Sequence, residues 1–312
     1  MFLKTHWLLP ALSGGLITAL GLSGCGSDLP GSATVNQTVN QVESSAVTAT
    51  DPPLPVYETI VLPRAVVHVV TIPDPVNYPV RVAVADELAP VEQLASQVCA
   101  TEGCAVAAIN AGFFDPNNGL TTSYGVVDGS LVADPSQNER LMGNPALTPY
   151  LDRILNRSEF RRYTCGGVPR YEITRHRAPS PPGCALEDAV GAGPQLLPQD
   201  TSVDEGFLDP ATTPVRDALG SQSANARSAI GLKADGSLVL VLVAQVPDMP
   251  SGMTLPELST FMAEQGVVQA LNLDGGSSTT LVYGRTVHHG RRDPAGEVIQ
   301  RPVKSILWVG GQ

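Results

Sequence analysis

Positive charge is what this sequence has least of: 19 Lys and Arg stand against 30 Asp and Glu, a formal net charge of -11 over 312 residues. Neutralising a nucleic-acid backbone takes a surplus of cations, so the balance argues against a nucleic-acid partner. An anionic ligand would have to be held by a local basic pocket that stands out from an acidic background. No Gly-x-Ser-x-Gly elbow and no nucleotide-binding loop occur, and no repeat of solenoid or propeller type is present. The cysteines lack the spacing of common zinc sites and have few histidines near them.

What is present begins with an exported chain. Residues 1–24 carry one Lys, an apolar stretch from Trp7 to Leu22 broken by Pro10 and Gly14-Gly15, and then small residues, which is the pattern of a secretory leader. It ends in Leu22-Ser23-Gly24-Cys25, which resembles the bacterial lipobox, so Cys25 is expected to be acylated and to anchor the chain to the cell envelope, on its periplasmic or extracellular face. Ordinary cleavage nearby and an uncleaved anchor are the alternatives. Residues 25–55 are then a lipidated flexible tether of Ser, Thr, Asn, Gln, Val, Pro and Gly without periodicity. Residues 56–312 form the globular domain, with 43% hydrophobic residues in the whole chain to build a core. Four further cysteines, Cys99, Cys104, Cys165 and Cys184, suggest two disulfides in an oxidising compartment. Of the three pairings, Cys99–Cys104 with Cys165–Cys184 needs the shortest loop closures.

Period-two alternation with many Val predicts strands over Val56–Ile72 and Tyr78–Ala85, paired across the Pro73-Asp74-Pro75 turn. Asp86–Val98 has helical spacing, and Cys104–Ile109 reads as a short buried strand. Ser123–Ala133 reads as a hairpin turning at Asp128-Gly129. Residues 135–187 and 198–226 lack sustained periodicity and read as long surface insertions. Arg227–Leu232 and Ser237–Val246 are predicted strands. Thr254-Leu255-Pro256-Glu257 is a capping box that opens a helix running to Gly266. Val267–Leu273, Thr279–Tyr283 and Ser305–Val309 complete the strands of an expected single α+β domain, a mixed sheet with flanking helices.

Chemistry concentrates at three strand ends. Leu273-Asp274-Gly275-Gly276-Ser277-Ser278-Thr279 closes a strand with a carboxylate, two permissive glycines and three hydroxyls, a turn able to offer N–H groups and hydroxyls to an anion; a plain Asp-Gly hairpin turn is the bland reading. Ile109-Asn110-Ala111-Gly112-Phe113-Phe114 runs an apolar strand into a polar tip, the Phe pair packing under or walling a pocket. Arg227 enters an otherwise apolar strand, where its planar fork suits a phosphate and a structural ion pair is the rival. Asp115 and Asp128 are candidate second carboxylates, each more often a turn residue. Asp115-Pro116-Asn117-Asn118 is oxygen-rich and suits a hard cation such as Ca²⁺. His288-His289 reads as a solvated loop, and Arg301-Pro302-Val303-Lys304 either adds charge to the pocket or is a solvated strand end.

The strings 109–114, Ala189-Val190-Gly191-Ala192-Gly193-Pro194, 227–231 and 273–279 resemble, in order, the motifs of the phosphodiester glycosidase family, which includes the animal enzyme that uncovers mannose 6-phosphate. The resemblance covers roughly residues 65–309. It implies that Asn110, Gly112, Arg227, Asp274, Gly275, Gly276, Ser277 and Ser278 line the site, with Asp274, Arg227 and Asn110 carrying the chemistry. The implied activity is hydrolysis of sugar-phosphate diesters, in envelope or extracellular polysaccharide. Two rivals stand beside it: a non-catalytic lipoprotein that binds anionic glycans, and a metal-dependent phosphodiesterase.

Overall fold

The computed structural model describes residues 51–102, 104–247 and 250–311, so the leader, Cys25 and most of the tether lie outside the described residues. Residues 50–312 form one compact unit. Two sheets dominate it. The first runs in the order Val56–Leu62, Ala65–Ile72, Leu238–Gln245, Arg227–Lys233, Val267–Asn272, Gln195–Leu197. The second runs Thr286–His289, Thr280–Tyr283, Ala105–Asn110, Val303–Gly310, Val80–Ala89.

Alternation decides which side each residue serves. Val70, Ile72, Leu240, Leu242 and Leu271 of the first sheet meet Val80, Val82, Ile109 and Leu307 of the second in a central core. The opposite face of the first sheet, with Val67, Val69, Val239, Val241 and Val243, packs on Leu258, Phe261 and Met262 of the helix Leu255–Glu264. The outer face of the second, with Ala108, Ile306 and Trp308, packs on Leu94 and Val98 of the helix Val91–Glu102. Leu238–Gln245 is buried along its whole length, as its unbroken apolar run requires. Burial of each such Leu or Val is worth roughly 1.5–3 kcal/mol. Gly231 lets the helix Leu255–Glu264 close on its sheet, because a methyl group there would stand 2.7 Å from Met262 Cε.

A third sheet runs Ser130–Ala133, Gly125–Val127, Cys184–Gly191, Ser158–Cys165, Val168–Arg175, with the disulfide Cys165–Cys184 across its middle pair. It occupies most of the segment expected to be a surface insertion. Ser158–Cys165 is buried although it carries three charges, because Arg161 pairs with Glu159 at 2.5 Å and Arg162 with Asp188 at 2.5 Å. Paired charges inside a strand erase the apolar alternation by which strands are read.

Further expectations are corrected. Every strand pairing is antiparallel, so the sheets are not mixed; a parallel pair needs a crossover of a dozen or more residues, and the fold connects its strands mainly by turns and irregular loops. The architecture is sheet-rich, with two helices of ten residues or more among the described residues, rather than a balanced α+β fold. Val56–Ile72 is itself a hairpin, broken after Leu62, and Val80–Ala89 joins the second sheet instead of pairing with it. That strand runs on to Ala89, which delays the helix to Val91. Cys99 and Cys104 are free thiols in contact: the Cys104 S–H donates to Cys99, and this bond together with the charge of the neighbouring sulfur raises the Cys104 pKa. Cys104 stands alone between helix end and strand start, whereas Cys165 and Cys184 are fixed opposite each other by ladder pairing. The Thr254 capping box is present as read, and so is the Asp128-Gly129 turn, whose two residues have φ of 47° and 73°.

His288 is a strand residue, not a loop residue. Its ring stacks 4.2 Å from His68 and 5.2 Å from Tyr57, which in turn stacks 5.1 Å from Tyr283, and this aromatic seam joins the edges of the first two sheets. Burial, then the neighbouring His288, push His68 from 6.5 down to about 4. The neutral ring is the folded form, so its stabilisation is complete above about pH 6.5 and drains away as pH falls toward 4. Allowing for solvent screening, about 1–2 kcal/mol disappears over that window. His68→Phe should flatten the dependence of melting temperature on pH between 6.5 and 4; an unchanged slope would show that the seam is not the acid-sensitive element.

Candidate functional site

The four motif strings end at one junction of the three sheets. Asn110, fully buried at the end of its strand, joins them: its Nδ2 donates to the Asp274 carbonyl at 2.6 Å, and its Oδ1 accepts from Ser228 Oγ at 2.7 Å and the Thr280 N–H at 3.1 Å. Asp274 N–H donates to the Ala111 carbonyl, Leu273 N–H to Ser228, and Gly276 N–H to Ala226. The Gly193 N–H donates to the Asn272 carbonyl, which brings the 189–194 string to the same place. Gly275 fits because a methyl there would stand 3.0 Å from the Ala226 carbonyl, and Gly112 because one would stand 2.8 Å from the Gly191 carbonyl.

The Asp274 carboxyl group is the reactive feature of this junction. Burial pushes its pKa up to about 6, against the opposing pull of Ser278, the Arg301 guanidinium and the Gly275 N–H, which donates to Oδ1 at 2.9 Å. Arg301 is fixed beside it: its Nε–H donates to Ser277 Oγ at 3.0 Å, its backbone N–H donates to the Ser277 carbonyl, and its guanidinium sits 6.0 Å from the Phe114 ring centre. The Ser278 hydroxyl faces the Asp274 carboxyl group, whereas Thr279 Oγ1 and Asn272 Oδ1, buried in the same stretch of chain, lack a hydrogen-bond partner. A buried polar atom left unpaired costs about 1–3 kcal/mol, so the turn after Asn272 carries polar groups that a ligand or water would satisfy. Gly276, at φ 62°, has open space where a side chain would stand.

Arg227 stands at the junction but in another role. It is 3% exposed, and its donors end on backbone carbonyls: Met253 at 3.0 Å, Leu219 at 3.1 Å, Gly220 at 2.8 Å and Ser223 at 2.9 Å. Burial lowers its pKa to about 10, with Asp217 pulling it back up. It clamps the 219–223 loop to the sheet. Asn110, equally buried and with three bonds made, positions Asp274 rather than meeting a ligand. Ser277, Ser278, Gly275 and Gly276 do surround the carboxyl group. Asp115 is held by Arg140 at 2.8 Å and by Asn117 of its own turn, which leaves its oxygens engaged within the protein. Asp128 is 62% exposed in a hairpin turn, 3.8 Å from Arg81, and neither carboxylate figures in the electrostatics of Asp274. Among the described residues no three His, Cys, Asp or Glu side chains are grouped as metal ligands.

Sequence reasoning gave Arg301 no more weight than a solvated strand end, and it passed over Arg157, Glu159 and His176 because they lie in a segment taken for a surface loop. A lone basic residue before a final strand carries no signal that it folds back over a glycine turn. The charge-rich run 157–162 was the signal for the others.

A family model described as phosphodiester glycosidase matches residues 103–310. No curated protein matches the chain. Among solved structures, the zebrafish N-acetylglucosamine-1-phosphodiester alpha-N-acetylglucosaminidase catalytic domain, auto-inhibited by its pro-peptide, is similar at 18% identity and a TM-score of 0.59, covering 83% of each chain. A putative exported protein of Burkholderia pseudomallei is similar at 16% identity and TM-score 0.55, over 79% of this chain and 74% of its own. A hypothetical protein from Synechocystis is similar at 20% identity and TM-score 0.53, over 82% and 61%. At these identities the structures establish a shared fold.

Two substitutions separate the roles. Asp274 ionises near 3.8 when unfolded and near 6 when folded, so its charge lowers stability progressively between those values and fully above them. Asp274→Asn is therefore expected to raise stability by about 1–2 kcal/mol at pH 8 and to change it little at pH 4. Arg227→Ala removes donors from four carbonyls, of which Met253 and Gly220 keep a backbone N–H partner, and should cost about 2–3 kcal/mol at either pH. Chemical denaturation at the two pH values measures both, and a pH-independent effect of Asp274→Asn would contradict a desolvated carboxylate.

Proposed function

The chain belongs to the phosphodiester glycosidase family, and from that premise we propose that it hydrolyses sugar-1-phosphate diesters of envelope or extracellular polysaccharide, with Asp274 and Arg301 as its catalytic residues. The observation that supports this most is the pairing of a desolvated carboxyl group with a guanidinium across a glycine turn lined by hydroxyls.

Arg301, with Ser277 and the open backbone at Gly276, holds the phosphate. A phosphodiester leaves as a weakly basic phosphate monoester, so departure needs charge stabilisation by a fixed donor more than it needs a proton. Asp274 acts ionised. Retaining hydrolysis requires a second carboxyl group about 5–5.5 Å from the first. The two candidate second carboxylates are engaged elsewhere, Asp115 by Arg140 and Asn117 and Asp128 in its hairpin turn beside Arg81. Asp274 is accordingly the base for a water that attacks the anomeric carbon directly, and the sugar is released with inverted configuration.

Placement in the envelope rests on the leader pattern and Cys25, and the Cys165–Cys184 disulfide suits an oxidising compartment. No helix among the described residues is long and apolar enough to cross a membrane; the proposed attachment is the acyl chain on Cys25.

On a panel of sugar-1-phosphodiesters, the 26–312 fragment should release free sugar with kcat/KM falling about tenfold per pH unit below about 6. Asp274→Asn should lose at least about 1,000-fold in kcat, and Arg301→Gln about 100-fold with folding intact. The first sugar detected by NMR should carry the inverted anomer. Binding without turnover by the parent would instead place the chain among non-catalytic glycan-binding lipoproteins.

A further inference from the structure

A second place in the fold gathers nitrogen donors that the protein leaves unused. The strand Thr286–His289 lies at the edge of the second sheet, and its His288 ring stacks 4.2 Å from His68 of the first sheet and 5.2 Å from Tyr57. Where the chain leaves that strand, the Gln245 N–H donates to the Gly290 carbonyl at 2.8 Å and the Arg292 N–H donates to Gln245 Oε1 at 3.2 Å. These bonds lay the 290–292 segment across the end of the strand Leu238–Gln245. Beside it opens a cleft of about 630 Å³, lined by His68, His288, His289 and Arg292, with valines, Ala244 and Pro247 as most of the remaining wall. Sites that enclose a small molecule run from roughly 300 to 1,000 Å³ and combine an apolar wall with a few polar groups, as here.

The nitrogens of this cleft are rich in donors and poor in partners. Arg292 donates Nη1–H to the Gly296 carbonyl at 2.6 Å, and its Nε and Nη2 meet no acceptor among the described residues. Stacking alone holds the His288 ring, whose two nitrogens have no hydrogen bond among the described residues. His68 commits Nδ1 to the Tyr57 hydroxyl at 2.8 Å, and His289 has only a 3.5 Å approach of Nδ1 to Thr280 Oγ1. No carboxylate stands among the lining residues, although acidic residues outnumber basic ones 30 to 19 in the chain. Asp293, next to Arg292, turns its Oδ1 to the N–H groups of Ala295 and Glu297. The histidines are not grouped as metal ligands, so their common partner is a molecule that accepts hydrogen bonds. A guanidinium and imidazole edges facing one volume offer donors from several directions, which suits the three terminal oxygens of a phosphate monoester, while the apolar wall suits the carbon skeleton it is attached to.

We propose that this cleft is a binding site for a phosphate monoester, with Arg292 as its charge partner and His288 and His289 as donors to the remaining oxygens. The cleft shares no lining residue with the Asp274 turn, so it binds whether or not the chain is a hydrolase. Two sources share this chemistry, a sugar phosphate and free inorganic phosphate. A volume several times that of a phosphate ion favours the sugar phosphate.

The test is proton NMR of the 26–312 fragment, which contains the whole compact unit and four histidines: His68, His288 and His289 in the cleft, and His176 outside it. Glucose 6-phosphate, glucose and inorganic phosphate are titrated separately at pH 7. Glucose 6-phosphate should shift the ring signals of His288 and His289 with a Kd below about 1 mM and leave those of His176 in place, and glucose should shift none of them. Inorganic phosphate that binds as tightly as the sugar phosphate would make the free ion the source; weaker binding would make it the sugar phosphate. Arg292→Gln should weaken binding at least about tenfold. Because Arg292 also braces the Gly296 turn, a second variant blocks the cleft from an exposed wall position: Val298→Trp, at a residue 43% exposed, removes no side-chain hydrogen bond and should abolish the shifts. No shift at about 10 mM glucose 6-phosphate, equal shifts with glucose, or binding that survives both variants would overturn the proposal.

Discussion

The carboxamide of Asn110 is the constraint on which the junction depends. It sits where no water reaches, so each of its polar atoms must be satisfied by protein, and the three partners it finds belong to three different segments: Asp274, Ser228 and Thr280. The Ser228 bond ties the first sheet to the second, and the Thr280 bond holds two neighbouring strands of the second together. The third fixes the backbone of Asp274, and with it the direction in which the carboxyl group leaves the chain. An isosteric Asp would repel the Asp274 carbonyl, and Leu would leave a hydroxyl and an N–H unpaired in the core. The demand for a group that is donor and acceptor at once is met at this size by Asn alone.

Around this brace the molecule tolerates a cost. The Asp274 carboxylate is desolvated, and two buried polar atoms in the same stretch of chain lack partners, in a domain otherwise held by well-paired antiparallel ladders and three apolar cores. Arg227 offsets part of that cost by holding the 219–223 loop against the sheet, which keeps the glycine turn from relaxing toward the carboxyl group. The division is between arginines that end on carbonyls and build the frame, and arginines whose terminal donors remain open.

That division explains which parts of the fold and site were legible beforehand. Strands such as Leu238–Gln245 and the helix opening at Thr254 follow from apolar period and capping chemistry, which are local and so visible in sequence. The junction was legible because glycine is demanded where backbones approach within 3 Å, as at Gly112 and Gly275. The third sheet was hidden, because Arg161, Arg162 and Glu159 are buried in pairs and imitate a solvated loop. The roles of Arg227 and Arg301 were hidden for a different reason: a lone arginine looks the same whether its fork ends on carbonyls or opens to a ligand, and only the fold assigns its partners.

With a net charge of -11, the chain repels an anionic phosphodiester at long range, which slows the encounter. At physiological ionic strength, however, exposed charges are screened beyond about 8 Å, whereas a guanidinium held in a low-dielectric wall acts at nearly full strength on whatever touches it. Arg301 rests over Phe114, an aromatic ring that excludes water from one face. Selectivity for an anion then arises at contact and not at a distance, and the acidic surface discourages nonspecific adhesion to other anionic polymers.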